Sequence, residues 1–198
     1  MKRRGAVTKE KPSQLRIIGG EWRGRKLSFH ARPGLRPTSD RVRETLFNWL
    51  APTIVGADCL DLFSGSGALG LEALSRGANY CDFVESDQLA AASIQGNLRL
   101  LGDNSPRGRV TTTDALKFID AAQQHWDVVF VDPPFDLGIG TSALEYLASH
   151  DCLDHDSWIY FETRRSAPEA VPDSLYTLHR EKTAGDVLYR LLTPKAQQ

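Results

Sequence analysis

The chain has 198 residues, 41% of them hydrophobic and 25% charged, enough apolar material for one α/β domain with a small appendage. No apolar run approaches the ~20 residues of a membrane span, and the basic start MKRRGAVTKEKPSQ has no apolar core behind it, so neither a membrane role nor a secretory signal is expected. The net charge of −1 hides an asymmetry: residues 1–43 hold thirteen Lys and Arg against Glu10, Glu21 and Asp40, a net +10 on an otherwise acidic chain.

A basic arm on an acidic body reads as a polyanion-binding device. Cys59, Cys81 and Cys152 are odd in number and far apart in the sequence. They suit neither a disulfide framework nor a zinc site, so no metal is expected, and a reducing cytoplasmic setting follows.

Residues 1–14 carry no periodic pattern and read as a disordered basic tail. Leu15 to Phe29 reads as strand, turn, strand: LRII, a Gly19-Gly20 corner, then EWRGRKLSF. This hairpin is too small to form a core alone and must lean on the next helix or on the main domain. Arg16, Arg23 and Arg25 are interleaved with Ile17, Ile18, Trp22, Leu27 and Phe29, which a merely soluble tail has no need of. An irregular basic connection containing Arg36 leads to a helix capped by Thr38 or Ser39. It runs to about Leu50 with Val42, Leu46, Trp49 and Leu50 on one stripe. Arg41 and Arg43 fall in its first turn, where the helix dipole disfavours cations. That local cost suggests a job: holding an anionic substrate or a cofactor carboxylate. Residues 15–50 thus form an N-terminal hairpin and helix extension, and 51–198 a single domain.

In that domain an apolar strand, Cys59 to Phe63, runs into Ser64-Gly65-Ser66-Gly67 and then a helix, Ala68 to Arg76. Glycines let backbone pass close to a ligand, and a helix start presents free N–H groups. Strands follow at Tyr80–Val84, ending in Glu85, and at Arg109–Thr113, ending in Asp114, with a helix from Asp87 to Leu101 between them. A helix from Ala115 to Gln124 precedes Trp126-Asp127-Val128-Val129-Phe130-Val131-Asp132-Pro133-Pro134-Phe135. Its four-residue apolar run suits a strand buried on both faces, and two prolines stop the ladder at Asp132. A helix near Ser142–Ser149, a strand Trp158–Glu162 and a terminal pair, Leu175–Glu181 and Val187–Leu192, complete the chain. Alternating β and α units with buried strands argue a doubly wound, mostly parallel sheet, and the last pair reads as a hairpin at its edge.

The site-bearing stretches are the strand ends, where ligands sit in open α/β sheets. Asp132 and the Pro133 carbonyl can each accept a hydrogen bond from an exocyclic amine, with Pro134 stiffening the corner and Phe135 stacking on the base. Gly65-x-Gly67-x-x-Gly70 matches the dinucleotide fingerprint, and Glu85 stands where a ribose-binding acid belongs, so an NAD-type oxidoreductase is a rival. Against it, Asp61 puts a negative charge beside the glycines, which suits an ammonium better than a pyrophosphate. Asp114 offers an acceptor to an adenine amine. Adenine, ribose and methionine partners together point to S-adenosylmethionine.

DLFSGSG, FVESD, TTDA and DPPF resemble the motifs of a class I amino-methyltransferase. With GGEWRGRKL and RPTSDRVRETLFNWL added, residues 15–192 resemble the bacterial 16S rRNA (guanine-N2) methyltransferase family, RsmD-type. The resemblance implies a Rossmann-like seven-stranded fold and S-adenosylmethionine held by Asp61, Phe63, Gly65, Gly67, Glu85, Asp114 and Ala115. It implies catalysis at Asp132, Pro133, Pro134 and Phe135, with RNA contacts at Arg16, Arg23, Arg25, Arg36, Arg41 and Arg43. The substrate it implies is a guanine of 16S rRNA in the assembling or assembled small ribosomal subunit, modified by a cytoplasmic monomer. A methyltransferase for another nucleic-acid amine, in DNA or other RNA, is the alternative.

Overall fold

The computed structural model describes residues 13–30, 38–102 and 107–196. Strands β1 (Ser13–Arg16) and β2 (Lys26–Phe29) pair antiparallel, with Ser13 opposite Phe29 and Gln14 opposite Ser28. The expected tail therefore ends before Ser13, because both residues are recruited into the ladder; residues 1–12 lie outside the described residues. Helix α1 (Asp40–Trp49) follows, capped by Ser39, whose hydroxyl accepts from the Val42 N–H at 3.4 Å.

The main sheet contains β3 (Asp58–Asp61), β4 (Tyr80–Glu85), β5 (Gly108–Thr112), β6 (Val128–Val131), β7 (Trp158–Arg164), β8 (Tyr176–Ala184) and β9 (Val187–Pro194). Its order is β5-β4-β3-β6-β7-β9-β8, with the first five strands parallel and β9 antiparallel to both β7 and β8. The order reverses between β3 and β6, and a crevice opens at such a switch point. β8 continues three residues further than the sequence suggests, so only Gly185-Asp186 makes the final turn.

Helices α2 (Ala68–Ser75), α3 (Gln88–Leu100), α4 (Ala115–Asp120) and α5 (Gly140–Ser149) cover the sheet. Two apolar clusters result. One joins Cys59, Phe83, Phe130 and Tyr160 of the strands to α1, α2, α3 and the hairpin residues Leu15, Ile17, Trp22, Leu27 and Phe29. The other packs Leu60, Val129, Val131 and Phe161 against α4 and α5. The hairpin thus has no core of its own and shares that of the sheet. Its corner is shaped for this: Gly20 has φ 75°, and a Cβ there would lie 1.7 Å from the Ser75 carbonyl oxygen.

The hairpin is fastened by one carboxylate. Glu72, fully buried on α2, accepts from the backbone N–H groups of Ile18 at 2.9 Å and Gly19 at 2.8 Å. The same carboxylate pairs with Arg76 at 2.8 Å and Arg43 at 3.4 Å. Cys59 and Cys81, far apart in sequence, are paired neighbours on β3 and β4; both are free thiols whose burial pushes their proton affinity up. Among the described residues, no helix is long and apolar enough to cross a membrane.

Candidate active site

The register of the central strands places the acids. Asp61 lies opposite Phe83 on β4 and Phe130 on β6, and Phe130 lies opposite Tyr160 on β7. Side chains two residues apart share a face. Glu85, Asp132 and Glu162 therefore continue the face that carries Phe83, Phe130 and Tyr160, and Asp61 belongs to it too. Four carboxyls from four strands converge at the carboxyl edge of one sheet face.

The cofactor-type loop follows β3. Gly67 starts α2 at φ 76°, where a Cβ would crowd Ile94 at 3.1 Å. The loop N–H groups that a dinucleotide site would turn toward phosphate have other partners. Gly65 N–H donates to Glu85 Oε2 at 2.8 Å, Gly67 N–H to the Ser64 carbonyl at 2.6 Å, and Gly70 N–H to Asp61 Oδ2 at 3.0 Å. A loop backed by two carboxylates repels a pyrophosphate and suits a cation. This weighs against the oxidoreductase reading and fits the sulfonium, ammonium and ribose hydroxyls of S-adenosylmethionine.

Asp61 is 2% exposed, and burial pushes its carboxyl up to about 7. The Gly70 N–H opposes that rise, while the nearby charges of Asp132 and Glu85 add to it. Glu85 also accepts from Asp87 N–H at 2.8 Å. Ala115 is buried, and Phe63 is half-buried against the second apolar cluster. Asp114 is exposed, and its Oδ1 caps α4 by accepting from Leu116 and Lys117 N–H at 3.1 and 3.2 Å. Its position at the end of β5 has a local explanation that the sequence alone does not separate from an adenine contact.

Asp132 stands half-buried where β6 ends. Removal from water pushes its carboxyl up to about 6, against the pull of the Thr38 hydroxyl, which donates to Oδ2 at 3.1 Å. Glu162 beside it is buried and receives the Tyr160 hydroxyl. Burial, then the charge of Asp132, raises the Glu162 carboxyl well above its usual range. Pro133 is buried and Pro134 exposed; the Pro134 carbonyl accepts from Leu137 N–H at 3.0 Å, closing a 3₁₀ turn over Phe135–Leu137. Phe135 is half-buried with the Arg164 guanidinium 5.7 Å above its ring, and Arg164 is tied to Asp136 at 2.9 Å.

The arginines divide. Arg16, Arg23, Arg25 and Arg41 are exposed. Arg16 pairs with Asp40 at 3.2 Å, and Arg25 donates to the Leu100 carbonyl at 2.8 Å. Arg43 is 1% exposed, which corrects its place among surface RNA contacts. Its guanidinium reaches Glu72, Asp40 at 2.7 Å, and the carbonyls of Arg16 at 2.9 Å and Thr38 at 3.1 Å. A cation misplaced for its own helix is placed for three neighbouring elements. Arg36 lies outside the described residues.

Thr38 and Glu162 are absent from the expected site. Each left a trace: two successive hydroxyls precede a helix that one can cap, and Glu162 ends its strand as Glu85 ends β4.

The family model described as Conserved hypothetical protein 95 matches residues 15–193. Ribosomal RNA small subunit methyltransferase D of Escherichia coli (strain K12) is 47% identical over 184 residues, 93% of this chain and 92% of that protein. The protein of the same name from Haemophilus influenzae is 46% identical over 90% of this chain and 93% of its own length. A solved putative methyltransferase from Escherichia coli superposes with a TM-score of 0.83 at 48% identity, covering 93% of this chain and all of that one. Over nearly its whole length, then, this chain belongs to the Conserved hypothetical protein 95 family and is a methyltransferase.

Proposed function

We propose that this methyltransferase transfers a methyl group from S-adenosylmethionine to the exocyclic N2 amine of a guanine in 16S rRNA, within the assembling or assembled small ribosomal subunit. The observation that carries the reading is the corner itself: an amine-accepting carboxylate, Asp132, shares one sheet face with the cation-seeking acids Asp61 and Glu85. The names of the close relatives support the rRNA substrate.

When bound, S-adenosylmethionine supplies a methyl group on a sulfonium, which needs no further activation. Asp61 would hold the ammonium and Glu85 the ribose hydroxyls, while Phe63, Gly65, Gly67, Asp114 and Ala115 would line the remaining cofactor surface. The guanine N2 lone pair is delocalised into the ring, and its N–H is too weakly acidic for a carboxylate to remove beforehand. Asp132 and the Pro133 carbonyl instead accept both N–H bonds, and this aims the nitrogen at the methyl carbon. Once it carries the methyl group the amine would be strongly acidic, and Asp132 would take its proton. Pro134 stiffens the corner, and Phe135 stacks on a base taken out of its loop.

Residues 15–50 act as the RNA-binding extension, with phosphates contacted by the exposed Arg16, Arg23, Arg25 and Arg41, and by Arg36. The chain works as a monomer in the cytoplasm. Mass mapping of 16S rRNA tests the reading. Cells lacking the protein should lose one N2-methylguanine, which the purified chain restores on their small subunits. An unchanged map would overturn it.

A further inference from the structure

Resting on the reading of Asp132 just given, we propose that Thr38 is a positioning residue for methyl transfer: it pins one oxygen of Asp132 and ties that carboxylate to the N-terminal extension. Its hydroxyl reaches across 94 residues of sequence to Asp132 Oδ2 at 3.1 Å. An ionised carboxylate only accepts, so the single hydroxyl proton of Thr38 must point at it. The terminal torsion of an aspartate is broad and sets poorly by itself. With Oδ2 occupied, Oδ1 is the oxygen left to meet the amine.

Among the described residues, the Thr38 hydroxyl bonds to Asp132 and is not needed as the helix cap. Ser39 caps α1, so Thr38 is released from that role. Thr38 is 8% exposed, and its backbone is clamped as well: its carbonyl accepts from Arg43 Nε at 3.1 Å. The same guanidinium holds the Arg16 carbonyl at the end of β1 and Glu72 on α2. A continuous series of contacts therefore runs from the hairpin, through Arg43 and Thr38, to the carboxylate at the end of β6. The N-terminal extension and the carboxylate at the end of β6 are thus joined by hydrogen bonds through Arg43 and Thr38.

The groups facing Asp132 are Asp61 from β3, Glu162 and Tyr160 from β7, and Thr38 from the segment before α1. All four are acidic or neutral, and among these described groups there is no cation. Thr38 therefore supplies the hydrogen bond that favours the ionised form against burial. Removing it raises the proton affinity of Asp132, and the acid limb of the rate profile must move to higher pH.

The experiment measures methyl transfer from radiolabelled S-adenosylmethionine to undermethylated small subunits, as kcat and KM from pH 5 to 9. Thr38→Val, nearly the same shape, should shift the acid limb upward by about one unit and lower kcat about fivefold at pH 6. The KM for S-adenosylmethionine should hold, and Thr38→Ser should restore limb and rate. Thr38→Ala repeats the arm should the valine variant fail to fold. If Thr38→Val or Thr38→Ala keeps the wild-type limb and kcat while Asp132→Asn is inactive, the Thr38 proposal falls and the Asp132 reading stands. An Asp132→Asn variant with wild-type turnover would instead overturn the underlying reading.

Discussion

Glu72 on α2 and Asp61, which accepts from the start of that helix, are both buried carboxylates, and they have opposite surroundings. Glu72 meets two guanidinium groups and two backbone N–H groups, so its charge is matched inside the protein. Asp61 meets one N–H, from Gly70, and carboxylate neighbours in Asp132 and Glu85. Burying a charge is tolerable only with compensation. Where the fold supplies the counter-charge, the carboxylate is a fastener. Where the fold withholds it, proton affinity rises until an external cation arrives. One end of α2 is thus built for permanence and the other for occupancy.

The sharpest way to break this contrast is to remove the fastener. Glu72→Ala leaves Arg43 and Arg76 facing a void and should cost about 3–5 kcal/mol, read by urea denaturation. A loss under about 1 kcal/mol would mean the hairpin is held by its apolar residues alone. At the other end, Asp132→Ala should cut turnover about 100-fold or more and leave the S-adenosylmethionine Kd unchanged, since its partner is the substrate amine. Glu85→Ala should weaken S-adenosylmethionine by about 1.5–3 kcal/mol in calorimetry. NAD binding tighter than S-adenosylmethionine would contradict the charge argument for the loop.

A smaller effect follows from protons. The Asp61 carboxyl is raised from 3.8 to about 7, so the folded chain holds its proton where the unfolded chain has lost it. That stabilisation is complete below pH 3.8 and is lost as pH rises through about 7. A cation bound beside Asp61 favours the ionised form. S-adenosylmethionine affinity should therefore climb with pH up to about 7, with up to one proton released per binding event in the window below. Calorimetry in two buffers of different ionisation enthalpy measures that release, and Asp61→Asn should abolish it.

The smallest predicted change separates the arginines. Replacing exposed Arg23 and Arg41 by Ala should flatten the log–log salt dependence of RNA binding by about 0.7–0.9 per lost contact. Arg43→Ala should lower stability instead. Equal effects on the salt slope would erase the distinction between buried and surface cations.

Element identity was legible in the sequence because it depends on neighbours. Val128 to Val131 read as a buried strand from four consecutive apolar side chains, and the two prolines after Asp132 marked its end. Asp61, Glu85 and Asp132 were found as strand-end acids for the same reason, and the hairpin and its dependence on another surface followed from its length. Facing and partnership could not be read in this way. Whether Arg43 meets phosphate or Glu72, and whether Thr38 caps a helix or holds Asp132, depends on contacts spanning 29 and 94 residues. Those contacts exist only once β6 and α2 have been laid against α1. A side chain's local pattern records its tendency to be buried, and the packed sheet alone decides which charge or donor it is buried beside.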